Sequence, residues 1–188
     1  MISLLRRLSL FASISLAAAT TTVALAQSTA PAVTSPTGTE QPGSRPYEEV
    51  NGYLKVGFER LSGFTFNPAP YDPAKPNTPP PSAADQIPER VKQLDGKKTM
   101  LTGFMLPVKT DKGLVTEFLL MKDPMMCCYG VVPQINEWIV VHMANKGVPA
   151  MQDVPLSFFG TLRVKELYDN GYLSGIYLLE GEKMAEAK

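Results

Sequence analysis

From 97 to 108 the chain alternates: Met100, Thr102, Phe104 and Leu106 fall on one side, and Thr99, Leu101, Gly103 and Met105 on the other. That is the two-residue period of a strand, and Pro107 is expected to end it. Asp111-Lys112-Gly113 reads as a turn into a second strand over 114–121, so the pair forms a hairpin. The stretch 137–143 carries apolar residues on both faces, the pattern of a central strand or of one in a closed barrel. Trp138, Val140 and His142 share one face of it, and Ile139, Val141 and Met143 the other. A fourth strand is predicted over 154–164, a short helical turn over 165–170 ended by Gly171, and a fifth strand over 172–180. Ahead of the strands, Pro88, Glu89, Val91 and Leu94 predict about two turns of helix, stopped by Asp95-Gly96.

The fold class that follows is mainly β: a small five-stranded OB-like barrel over 87–180 with one or two short helices. A sandwich, or an open sheet packed on one helix, would produce a similar pattern. Residues 181–188 read as a polar tail. Upstream, 47–66 mixes aromatic and β-branched residues with Gly52, Gly57 and Gly63, which suggests short strands joined by turns, an N-terminal β ribbon. Between ribbon and core, 67–86 holds seven prolines, which exclude a helix or a central strand and make it a surface connector.

The first residues have a different character. Arg6 and Arg7 precede an apolar run over 8–19, and small residues follow, ending in Ala24-Leu25-Ala26. This order is that of a cleavable signal peptide over 1–26, and the apolar run is too short to cross a bilayer as a helix. Residues 27–46 are Ser, Thr, Pro, Ala and Gly with almost no large apolar side chain, a flexible and disordered tether. The expectation is an exported, periplasmic or secreted protein with no transmembrane segment after cleavage.

Charge narrows the partners. Loss of Arg6 and Arg7 with the leader takes the balanced chain, with 18 basic and 18 acidic residues, to a net charge of about −2. No block of like charge stands out, so nothing argues for nucleic acid. Nucleotide-binding glycine loops, Gly-x-Ser-x-Gly and His-Glu-x-x-His are absent, and a non-enzymatic role is the expectation.

The unusual chemistry is Met125-Met126-Cys127-Cys128-Tyr129-Gly130, which holds both cysteines of the chain. In an oxidising compartment adjacent cysteines can pair only through a strained vicinal disulfide, one easier to reduce than a structural bond. Three readings stay open. Cys127, Cys128 and the sole histidine, His142, offer ligands for zinc or copper, with Met125 and Met126 as thioethers favouring Cu(I). The cysteines can exchange thiols and disulfides, although no Cys-x-x-Cys occurs. Or they are small apolar anchors for a loop, with His142 an ordinary core or edge histidine and Asn136-Glu137 tying the loop to the backbone.

Leu94-Asp95-Gly96-Lys97, Leu101-Thr102-Gly103-Phe104-Met105-Leu106-Pro107, Glu117-Phe118-Leu119-Leu120, the Cys loop and Pro133-Gln134-Ile135-Asn136 together resemble the bacterial domain of unknown function 3299 family, over about 87–180. The resemblance implies an exported protein or lipoprotein, and a membrane transporter or other envelope protein connected with zinc supply as partner. It assigns no catalytic residue. Cys127-Cys128-Tyr129 stands where that family's pattern has one cysteine followed shortly by histidine, so a metal site in this chain needs different ligands.

Overall fold

A computed structural model describes residues 46–123 and 133–187. By its contacts the chain divides after Gly38, and every described residue belongs to the second unit, 39–188. That unit is mainly β. Its strands are β1 (Glu49–Val50), β2 (Tyr53–Val56), β3 (Lys98–Asp111), β4 (Leu114–Met121), β5 (Trp138–Met143), β6 (Leu156–Asp169) and β7 (Tyr172–Glu186). Among the described residues it also holds two four-residue helices, α1 (Phe58–Leu61) and α2 (Glu89–Lys92), and a 3-10 turn over Ala84–Gln86. No helix among the described residues is long and apolar enough to cross a membrane.

The pairing runs β3–β4–β5–β7–β6 and returns from β6 to β3. Within this circuit only β5–β7 is parallel. Side chains at alternate positions enclose the core: Leu101, Phe118, Leu120, Ile139, Val141, Leu156, Phe158, Leu162, Tyr177 and Leu179 are all fully buried. Phe58 and Leu61 of α1 and Val91 of α2, with Leu94 beyond it, pack against the same core. β1 and β2 form a small ribbon that joins β3 in parallel, with Val56 opposite Leu101.

Several elements differ from the sequence reading. β3 does not end at Pro107 but runs to Asp111. Beyond Gly103 it has β4 as its only strand partner, and its register shifts between Pro107 and Lys109, so the missing N–H is accommodated at a bulge beside an open edge. Residues 165–170 are not a helical turn: β6 and β7 are two arms of one long hairpin, turned at Asn170 (φ 50) and Gly171 (φ 86). Two left-handed residues in succession match the twist of paired strands, so Asn-Gly here is a hairpin signal rather than a helix end. Residues 181–186 are not a free tail, since β7 continues until Glu186 stands opposite Leu156. Phe58–Leu61 is helical where strands were expected, and α2 makes one turn rather than two.

The proline-rich connector lies along the β6–β7 hairpin. Tyr71 stacks on Tyr172 with ring centroids 3.8 Å apart. Glu166 of β6 accepts hydrogen bonds from the Ser82 hydroxyl at 2.5 Å and the Ala83 N–H at 2.7 Å. A Cβ at Gly171 would stand 3.1 Å from the Thr78 nitrogen, so a side chain there would press on the connector backbone.

Candidate functional site

The register sets three rows of side chains on the outward face of the sheet. Phe104, Met121 and Trp138 form the first, across β3, β4 and β5. Leu106, Leu119, Val140 and Leu178 form the second and carry it across β7. Met121, Val140 and Leu178 are buried, Phe104, Leu119 and Trp138 half-buried, and Leu106 is 39% exposed. Trp138 donates its indole N–H to the Ser174 carbonyl at 2.9 Å, which pins the ring beside the turn end of the β6–β7 hairpin. The two apolar rows therefore make one continuous band on the outward face of the sheet, most of it buried or half-buried, with Leu106 its exposed member.

The third row is charged. Lys109 donates to Glu117 at 2.8 Å, and Nε2 of His142 lies 3.3 Å from the same carboxylate oxygen. His142 stands opposite Glu180 on its other side, and Glu180 is gripped by Arg163 at 3.1 and 3.3 Å. Basic and acidic groups thus alternate along the band from β3 to β6. The Glu117 carboxylate holds Lys109 above the usual lysine range, through its hydrogen bond first and its charge second. His142 does share its face with Trp138 and Val140, but it stands exposed beside the Glu117 carboxylate and is not a core residue.

The other margin of the band is the root of the Cys loop, which leaves β4 after Met121 and returns through Gln134 to β5. Cys127 and Cys128, like Met125 and Met126, lie outside the described residues. At the root, the Gln134 N–H donates to Glu137 at 2.8 Å and the Glu137 N–H to the Gln134 carbonyl at 2.9 Å, closing a turn. Asn136, fully buried between them, donates through Nδ2 to the Phe64 carbonyl at 2.7 Å. It ties the loop to the backbone, at a point 72 residues upstream.

That point is held twice more. Arg90 donates to the Gly63 carbonyl at 2.9 Å, and the Tyr177 phenol to the Leu61 carbonyl at 2.7 Å. Three side chains, from α2, β7 and the loop root, thus fix the segment that follows α1. Burial pushes the Tyr177 phenol well above its ordinary range, with the nearby Arg90 charge opposing weakly. Sequence reasoning missed this clamp; the available signal was a tyrosine in an apolar strand, whose hydroxyl needs a buried partner.

No three His, Cys, Asp or Glu side chains among the described residues come together as metal ligands. His142 stands four residues along β5 from Trp138, about 13 Å at strand rise.

The sequence pattern of the DUF3299 family, described as a protein of unknown function, matches residues 74–186. The chain belongs to this family. Among solved structures, it is similar to a DUF3299 family protein from Pseudomonas aeruginosa PAO1, at 25% identity over 72% of this chain and 97% of that one, with a TM-score of 0.49. A search of curated proteins gives no match. The DUF3299 match takes in the whole strand circuit, Arg90, Asn136 and Tyr177, whereas the carbonyls they hold, at Leu61, Gly63 and Phe64, precede it.

Proposed function

We propose that this DUF3299 protein is an exported accessory protein without catalytic chemistry. In this reading its strand circuit is a small barrel of the OB type, and it binds a protein of a membrane transport system through the outward face of β3, β4, β5 and β7. The pairing order, with a single parallel pair between β5 and β7, supports the barrel, because OB folds close five strands this way and use an outward face for ligands. The observation that carries the binding role is the apolar band itself. Seven apolar residues run unbroken across four strands, Leu106 the exposed one among them, with a charged row on one margin and the Gln134–Glu137 turn on the other. An apolar patch with a polar rim is the anatomy of a protein-binding surface. Export rests on Arg6, Arg7, the apolar run and Ala24-Leu25-Ala26.

Zinc or Cu(I) at Cys127 and Cys128 is the chemistry their thiolates would support. For His142 to join them, the loop must return along the β4–β5 face. The test is intact mass under native conditions before and after chelation, on the wild type and on a Cys127→Ser, Cys128→Ser variant. The accessory role expects a folded protein whose mass chelation leaves unchanged. Metal carried by the wild type and lost in the variant would replace it with a metallochaperone. Native thiol labelling addresses the thiol/disulfide role: reactive cysteines that cycle between oxidised and reduced forms would favour a redox enzyme.

A further inference from the structure

The tetrapeptide Asn-Gly-Tyr-Leu occurs twice, at 51–54 and at 170–173, and the chain holds no other Asn-Gly. Each copy turns a hairpin through a two-residue loop, with Val50 opposite Tyr53 and Asp169 opposite Tyr172. The backbone is nearly the same in both: φ is 53 and 80 at Asn51 and Gly52, and 50 and 86 at Asn170 and Gly171. Only the surroundings differ. Asn51 and Gly52 are exposed, and nothing stands within 4 Å of a Cβ built at Gly52. Gly171 is buried against the connector backbone at Asn77 and Thr78, and the Asn170 amide donates to the Asp169 carboxylate at 3.0 Å. The arms differ too. β1 has two residues, whereas β6 and β7 are paired strands of 14 and 15. A two-residue arm opens at little cost.

Asparagine before glycine is the pair most open to deamidation, because no Cβ shields the following backbone nitrogen. That nitrogen attacks the side-chain Cγ and gives up its proton, the Cγ–Nδ2 bond breaks and ammonia leaves. Water then opens the five-membered imide at either carbonyl, so the net change is amide and water to carboxylate and ammonium. We propose that Asn51 is a site of spontaneous deamidation whose isoaspartate product releases β1, and that the same sequence at Asn170 is protected by the connector. Isoaspartate routes the main chain through the side chain and adds a carbon to a loop whose register depends on two residues. β2 should stay in place, since it pairs with β3 and Tyr53 donates to Glu182 at 2.6 Å. The inference is independent of the partner face.

The test is peptide mapping of the full chain aged at mildly alkaline pH, with a parallel sample in urea. In urea the identical tetrapeptides should convert at comparable rates, while in the folded chain Asn51 should convert at least about tenfold faster than Asn170. Tyr71→Ala removes the ring stacked on Tyr172 at 3.8 Å, and should raise the Asn170 rate several-fold without changing that of Asn51. Hydrogen exchange reads the product: the Lys55 amide, which donates to the Glu48 carbonyl at 2.8 Å, should exchange faster in chains carrying isoaspartate at 51. A ratio no larger in the folded chain than in urea, an Asn170 rate indifferent to Tyr71→Ala, or unchanged Lys55 exchange in the modified chain would each overturn the proposal.

Discussion

The phenol of Tyr177 donates to the carbonyl of Leu61 at 2.7 Å, joining the middle of β7 to the end of α1 across 116 positions of sequence. Both residues are fully buried, so Tyr177→Phe leaves a carbonyl without a donor in a dry interior and should cost about 1–3 kcal/mol. The phenol also predicts a pH dependence. Burial raises its folded pKa above 10, the value it regains on unfolding. Its contribution is therefore complete below about pH 10 and is lost above it, by up to about 1.4 kcal/mol per pH unit, as the unfolded state alone ionises. Urea unfolding at pH 8 and in steps above pH 10 should show the gap between wild type and Tyr177→Phe shrinking. A constant gap would refute the buried phenol.

Asn136 gives a second test of the clamp. Its Nδ2 serves Phe64, while its Oδ1 is buried with no hydrogen-bond partner among the described residues. Asn136→Ala should cost about 1–3 kcal/mol through the orphaned Phe64 carbonyl. Asn136→Asp should be worse at neutral pH, because it removes the donor and also places a carboxylate where water does not reach. Burial raises that carboxyl's folded pKa above the unfolded value, so the penalty is present at neutral pH and is relieved as acid protonates it. Unfolding curves at pH 7 and pH 4.5 should show Asp falling well below Ala at the first and approaching it at the second.

What could be read from the chain divides along physical lines. β4 was legible to the residue because alternation and turn chemistry agree at both its ends. Along β3 the split between Leu101 and Met105 on one side and Thr102 and Phe104 on the other was equally plain. The hairpin arms beyond Val164 were not, because Lys165, Glu166 and Leu167 have ordinary helix propensity and only tertiary pairing makes them strand. The outward rows were invisible for another reason: Leu106, Leu119 and Val140 lie on three strands, and only register brings them side by side. Glu117 and His142 likewise meet through pairing, and nothing in their spacing announces it.

Two glycines with nearly the same backbone separate turn strain from packing. Gly113 (φ 81) turns the β3–β4 hairpin with nothing within 4 Å of an added Cβ, whereas at Gly171 (φ 86) that atom meets the connector backbone at Asn77 and Thr78. Gly113→Ala should cost about 1–2 kcal/mol, the penalty for a left-handed alanine. Gly171→Ala carries the same penalty and must also push the connector away. It should be the more destabilising, and limited proteolysis should cut 67–86 faster in it than in Gly113→Ala. Equal cleavage would mean that the connector does not depend on this crossing.

The outward face is tested by two leucines of β3 with opposite surroundings. Leu101 is fully buried among core side chains, while Leu106 is 39% exposed and heads the second apolar row. Leu101→Ala should cost about 2–5 kcal/mol, as deletions in a packed core do. Leu106→Glu should shift the unfolding midpoint little, since the new carboxylate keeps its water, yet it interrupts the band beside Leu119. If that band is presented to a partner, Leu106→Glu should shorten retention on a hydrophobic-interaction column while leaving the circular dichroism spectrum unchanged. Destabilisation matching that of Leu101→Ala would instead make the row part of the protein's own packing, and the partner-binding role would lose the surface on which it rests.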